Sequence, residues 1–322
     1  MLGSLVRRVT PLPERAETGR VPRRRAARAL SSLIVASTLC ACASPTDRLR
    51  ELAAEQGFWR RSVISDGFEL TVFENGALGA GEAARTDLST LHVYLEGDGT
   101  PWRYRVIVMP DPTPRRPLML HLMALDEAPA AYLGRPCYNG SSSDEGCVDR
   151  LWTSERYSAA VVDSMAGAVR SLLRRHGASR LRLFGHSGGG ALALLLAARL
   201  PATVDVVTVA GNLDSEAWTR HHGYTPLRGS LNPAREAPLD VRVRQWHLVG
   251  GADAVVPPTL TERYIRAQPG ATGVVFPSFS HGCCWARIWP GVLRAVTRDD
   301  TMLLPGEVFT RAAPRAVVRD DR

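Results

Sequence analysis

The sequence predicts an α/β fold: a mostly parallel, doubly wound sheet with helices on both faces and an N-terminal antiparallel hairpin. Three observations carry this. Short apolar runs of strand length alternate with helix-length stretches, the βαβα order that builds parallel sheets. Two strand-like runs, 59–64 and 68–73, flank Ser65-Asp66-Gly67, and an Asp-Gly turn between alternating runs reads as a hairpin at one sheet edge. Finally, 322 residues at 45% hydrophobic and 22% charged supply one substantial core.

The predicted strands are 91–95, 130–133, 181–184, 204–209, 243–249 and 273–276, and the helices between them are 117–125, 154–176, 189–200, 259–268 and 285–296. The stretch 189–200 is apolar on every face, so that helix must be buried. In 154–176 Val161, Val162, Met165, Val169 and Leu172 recur at helical spacing among charged positions, the pattern of an outer helix with one face on the sheet. Residues 1–41 read as a leader, 42–57 as a linker, 58–304 as the folded domain and 305–322 as a frayed tail.

The net charge of +8 sits mainly in front: residues 1–41 carry eight arginines and two glutamates, leaving +2 for the rest of the chain. A nearly neutral body gives no electrostatic footprint for nucleic acid. All 40 cations are Arg, which excludes a Schiff-base lysine, a P-loop lysine and a Ser-Lys dyad. No run of 18 apolar residues is present, so a multi-span membrane protein is excluded.

The leader has a basic stretch at 23–28, an apolar run at 30–39 and then Leu39-Cys40-Ala41-Cys42, which resembles the lipobox of bacterial lipoproteins. The resemblance implies export and a lipidated Cys42, with Ala43-Ser44 favouring the outer membrane, so that the membrane is met through the N-terminal lipid. Cleavage near Ala43 without lipidation, giving a periplasmic protein, is the alternative. A translation start near Val21 would give the leader an ordinary length.

Export exposes cysteines to an oxidising compartment. Cys137 and Cys147 bracket a Gly- and Ser-rich loop able to close, whereas Cys283 and Cys284 are adjacent, where a disulfide is geometrically awkward. Free thiols and cross-pairing stay open, since four cysteines allow three connectivities. No Cys or His spacing fits zinc, so no metal is expected.

Chemistry concentrates at Gly185-His186-Ser187-Gly188-Gly189, a G-x-S-x-G pattern with a predicted strand before it and the buried helix after it. A sharp strand-to-helix turn would hold Ser187 at the carboxyl end of the sheet, near a helix N-terminus that favours a developing anion. With those flanks the chain resembles the α/β-hydrolase fold family over residues 58–298. In that family the order is nucleophile, acid, then histidine. Asp253 stands in Gly250-Gly251-Ala252-Asp253-Ala254-Val255-Val256-Pro257, matching the family's G-x-x-D-x-x-V-P turn, and His281 follows the last predicted strand.

The resemblance implies Ser187 as nucleophile, His281 as proton shuttle and Asp253 as its orienting partner, with no cofactor. The main-chain N–H groups of Gly188 and Asp98 would bind the oxyanion, Gly99 standing next to Asp98 as the other donor. Asp98 lies in Glu96-Gly97-Asp98-Gly99, where Glu96 replaces the histidine of the family's His-Gly loop, and its carboxylate is expected to turn away and bond its own turn. Asp214 is the substitute acid should Asp253 be only a turn residue.

His186 is expected to be packing that points away from Ser187, and His92 and His247 sheet residues. Residues 211–240 and 136–154 are small lids; His221, His222, Trp102, Trp152, Trp218 and Trp285 are candidates to line the cleft, with core packing the ordinary fate of tryptophan. The expected activity is hydrolysis of a small acyl ester by a serine esterase. Thioester cleavage, acyl transfer and peptide cleavage share the same machinery, and a non-catalytic envelope protein on the same scaffold is the reading from another class.

Overall fold

A computed structural model describes residues 43–79, 88–300 and 304–310. The chain divides into two units, 1–43 and 44–322; the second is described below, and the predicted leader with Cys42 lies outside the described residues.

Nine strands form one sheet in the order β1-β2-β6-β3-β7-β8-β9-β10-β11. Its middle is the parallel set β6 (Ala130–Leu133), β3 (Thr90–Leu95), β7 (Arg180–His186), β8 (Thr203–Val209), β9 (Arg244–Gly250) and β10 (Ala271–Phe276). The hairpin β1 (Trp59–Ser65) and β2 (Phe68–Glu74) adds antiparallel strands at one edge, as the Asp66-Gly67 turn predicts. The winding reverses between β3 and β7, where a ligand crevice forms outside the strands' carboxyl ends.

Period-two alternation gives each central strand two apolar faces. One face, with Leu91, Val93, Leu181, Leu183 and Val206, packs against α4 (Ala159–His176) and α5 (Gly188–Ala197). The other carries Tyr94, Phe184 and Val207 beneath α1 (Pro45–Glu55), α3 (Leu118–Met123) and α8 (Trp285–Arg298). There Tyr94 stacks on Phe184 at 4.7 Å between ring centroids. All ten residues of α5 are buried, the fate its uniformly apolar sequence dictates.

Several segments depart from expectation, each for a local reason. Residues 45–55, within the expected linker, form α1: the Ser44 hydroxyl accepts from the Asp47 N–H, the Asp47 carboxylate accepts from the Ser44 N–H, and Pro45 stands at the first helical position. Leu49 and Ala53 then dock on the core. The long outer helix starts at Ala159, not 154, because Ser158 caps it through the Val161 N–H. A further helix, α6 (Ser215–His222), stands in the first lid and is capped by Asp214. Glu307–Thr310, in the expected tail, is β11, antiparallel to β10. A single turn, α2 (Gly76–Gly79), the small hairpin β4 (Trp102–Arg103) and β5 (Ile107–Val108), and α7 (Pro258–Ala267) complete the fold.

Candidate active site

Ser187 joins β7 to α5 with φ 53° and ψ −120°, a conformation a non-glycine residue holds only when its surroundings impose it. Here they do. Its N–H donates to the Val209 carbonyl at 3.0 Å, and its own carbonyl accepts from Gly190 at 3.0 Å and Asn212 at 2.9 Å. A Cβ on Gly185 would lie 2.2 Å from the Gly189 carbonyl oxygen, and one on Gly189 the same 2.2 Å from that of Leu95, so only glycine lets the turn close against β3.

Asp253 follows β9 with a buried carboxylate. Oδ1 accepts from the N–H groups of Val255 at 2.8 Å and Val256 at 2.9 Å, leaving Oδ2 to meet His281 Nδ1 at 2.8 Å. The pairing turns the other ring nitrogen of His281 away from Asp253. His281 sits between β10 and α8. Its carbonyl accepts from His186 Nε2 at 2.9 Å and from Trp285 Nε1 at 3.3 Å, and the two imidazoles pack at 4.7 Å. His186 is therefore packing, as expected, but its partner is His281. Ser187, His186 and His281 all line one cleft of about 1010 Å³ at the β3/β7 crevice.

The loop after β3 is fixed from several sides. Glu96 is buried; its Oε1 accepts from Gly97 N–H at 3.1 Å and its Oε2 from Met119 N–H at 2.9 Å. The Glu96 carbonyl accepts from Arg135 Nη2 at 2.8 Å and the Asp98 carbonyl from the Tyr138 hydroxyl at 3.1 Å. Contrary to expectation, the Asp98 carboxylate does not bond its own turn. It accepts from Arg135 Nη1 at 2.8 Å, Arg156 Nη1 at 3.0 Å and the Tyr157 hydroxyl at 2.7 Å. Two guanidiniums bind a carboxylate more strongly than a turn's N–H groups. Burial alone would raise the Asp98 pKa, but Arg135 and Arg156 overcome it and hold the group at about 2.

The loop lies against the turn that carries Ser187: a Cβ on Gly97 would be 3.4 Å from Ser187 Cβ, and one on Gly188 only 1.9 Å from Asp98 Oδ1. The Gly97 N–H is held by Glu96, which leaves Asp98 and Gly99 as the loop's candidate donors. Gly188 opens α5, so its N–H has no intrahelical partner.

Other candidates fall elsewhere. Asp214 caps α6 and accepts from Asn232 Nδ2 at 2.9 Å, which removes it as the substitute acid. His92 and His247 are buried in the sheet, His92 against Asp126 at 2.7 Å and His247 against Thr208 Oγ1 at 2.8 Å. Trp102 and Trp218 line the cleft, whereas Trp152 and Trp285 are buried. From the first lid, His222 Nε2 and Trp218 Nε1 each donate to the Val255 carbonyl at 2.8 Å, tying it to the Asp253 turn. Disulfides join Cys137 to Cys147 and Cys283 to Cys284, the second pairing despite its adjacency. Among the described residues no cluster of His, Cys, Asp and Glu could hold a metal. Arg135, Arg156 and Tyr157 escaped notice in the sequence, because isolated residues of common types form no motif.

Residues 137–210, which include the Ser187 turn, match the model of the class 3 lipase family. The fold superposes on solved structures of low identity. An esterase of Pyrococcus furiosus aligns with a TM-score of 0.50 and 11% identity over 76% of this chain and 93% of that one. A membrane phospholipase A gives 0.51 and 16% over 85% and 99%. The chain has the α/β-hydrolase fold. A puromycin hydrolase shares this hydrolase fold at 0.52 and 18% over 76% of the present chain, which spans only 39% of that protein's length. No curated protein matches the sequence. Within the hydrolase fold, the Ser187 turn follows the strand beside the winding reversal, Asp253 follows β9 and His281 follows β10, so all three reach the same end of the sheet.

Proposed function

We propose that the protein is a serine hydrolase that cleaves carboxylic esters through an acyl-enzyme. One observation carries the reading: His281, bonded to buried Asp253 at 2.8 Å, opens onto the same cleft as Ser187. The class 3 lipase match over the Ser187 turn supports it.

In this mechanism Ser187 Oγ bonds to the acyl carbon as its proton passes to His281 Nε2, and the carbonyl electrons move to the oxygen. The N–H groups of Gly188 and Asp98 stabilise that oxyanion. Asp253 fixes the ring tautomer and stabilises the imidazolium. Collapse breaks the bond to the alkoxy oxygen, which leaves as the alcohol with the proton from His281. Water then repeats the sequence on the acyl-enzyme, releasing the acid and restoring Ser187.

Ser187→Ala is expected to lower turnover of short nitrophenyl esters by roughly 10⁴-fold or more and to abolish labelling by a fluorophosphonate probe. Equal rates for parent and variant overturn the proposal, and a folded parent that never labels points to a binding scaffold instead. The proposal also places the protein outside the cytoplasm, held by a lipid on Cys42; the 23–42 pattern and the Cys137–Cys147 disulfide support export.

A further inference from the structure

The β4–β5 hairpin stands at the rim of the cleft, which Trp102, Tyr104 and Arg105 help to line. Its base is pinned: Thr100 N–H donates to the Pro112 carbonyl at 3.0 Å, Met109 N–H to that of Pro101 at 2.9 Å, and Trp152 Nε1 to that of Met109 at 3.1 Å. Its tip is a tight turn closed by Val106 N–H on the Arg103 carbonyl at 3.2 Å, with Tyr104 and Arg105 at φ 54° and 64°. Two consecutive residues at positive φ ordinarily select Asn and Gly. Tyr and Arg fit poorly there, so the position is held for what their side chains present.

What they present is apolar and cationic together. Tyr104 is 75% exposed, Val106 74% and Ile107 54%, an apolar cluster raised at the tip of the pinned hairpin. Arg103 and Arg105 interleave with it, and Arg115 and Arg116 are exposed on the adjoining segment, where they line the same cleft. The carboxylates that line the cleft are already engaged: Glu96 by two main-chain N–H groups, Asp98 by Arg135 and Arg156. Among the described residues no acidic group pairs with these four arginines, so the rim is positive.

We propose that this hairpin and the Arg115-Arg116 pair form a docking surface for an anionic phospholipid bilayer, with the apolar tip inserted at the headgroup level and the guanidiniums on lipid phosphates. Apolar side chains flanked by cations are the combination an anionic interface binds, each element weak alone. A protein partner would have to supply both an apolar socket and a ring of carboxylates; a bilayer offers both by composition. Docking seats the cleft mouth against the lipid. It is a binding property that stands without the ester hydrolysis proposed above.

The test reads the hairpin itself, so that attachment through the leader does not count. In the full chain carrying Ser187→Ala, with Cys40 and Cys42 replaced by serine, an environment-sensitive fluorophore is placed on Ile107→Cys. The control is Val241→Cys, 73% exposed ahead of β9 at the opposite end of the sheet. Phosphatidylglycerol vesicles are expected to blue-shift the probe at 107 and to quench it when they carry spin-labelled lipid, with no change at 241. Phosphatidylcholine vesicles should leave both sites unchanged. Replacing Arg115 and Arg116 with glutamine should weaken the response about thirtyfold, and Val106→Ser should weaken it independently, with thermal melting confirming that both variants fold. The proposal is overturned by silence at 107, by equal responses at 107 and 241, by equal responses to neutral and anionic vesicles, or by a concentration-dependent shift without lipid, which would mean self-association.

Discussion

Nη1 of Arg135 lies 2.8 Å from Oδ1 of Asp98, and that one contact joins the loop after β3 to the segment that follows β6. With Arg156 and Tyr157 completing the clasp, the main chain at Asp98 is held beside Gly188. The pKa of about 2 against an ordinary 3.8 gives the sign of the pH effect. The stabilisation, about 2 kcal/mol, is fully present above about pH 4 and is lost as pH falls toward 2. Asp98→Asn should remove that acid limb and leave two buried guanidiniums under-compensated, lowering stability by about 3 kcal/mol at neutral pH. Urea unfolding of parent and variant at pH 7 and pH 3 checks both points; parallel curves would show that the clasp contributes nothing.

His186 acts on His281 through its main chain. Its Nε2–H holds the His281 carbonyl at 2.9 Å while the rings pack at a tilt of 48°, so the variant His186→Ala frees the loop that carries the imidazole. One lost hydrogen bond at a positioning residue corresponds to about a tenfold fall in kcat. His186→Gln, which keeps a donor, should recover part of the rate. Steady-state kinetics on a soluble ester separate this from a structural defect, which would lower the amount of active enzyme and leave each turnover unchanged.

His247 supplies a second acid-sensitive component. Burial pushes its pKa down to about 3, so the folded chain stays neutral there while the unfolded chain takes a proton below about 6.5. Stability therefore falls as pH drops from about 6.5 toward 3, the unfolded state binding the extra proton. His247→Gln should flatten the melting temperature over that window. A variant whose profile tracks the parent through pH 4 would refute the assignment.

Much of this was legible in the chain, for identifiable reasons. The hydrophobic runs at 130–133 and 91–95 named their strands because central parallel strands are apolar on both faces, and the run of glycines around Ser187 marked its turn because close approach to the Leu95 carbonyl admits no Cβ. Asp253 was readable from its turn, and the turn is what its Oδ1 bonds. Residues that act across long sequence separation were not readable. Arg135 and Arg156 meet Asp98 from 37 and 58 residues away, and no local pattern records that. The α1 helix lies within the expected linker; burial of Leu49 and Ala53 on a core built from distant strands secures it, and no local pattern records that. β11 is a four-residue edge strand with three exposed residues, and so short a polar-flanked run resembles a tail.

The disulfide between Cys137 and Cys147 joins residues ten apart in the sequence, ahead of the 3₁₀ turn at Asp149–Leu151. Arg135 and Tyr138, which hold the loop after β3, flank Cys137, so the crosslink anchors the same ends of the chain as the Asp98 clasp. Loop-closure entropy for that length corresponds to about 3 kcal/mol. Cys137→Ser with Cys147→Ser should therefore lower the melting temperature by roughly 6–12 °C and, by loosening Arg135, reduce turnover more than it raises KM. The melting shift should appear in the parent on adding a reductant and be absent in the double variant. If both proteins respond alike to the reductant, the stabilising crosslink is the other pair, Cys283 with Cys284, and the loop after Cys137 is held by its hydrogen bonds alone.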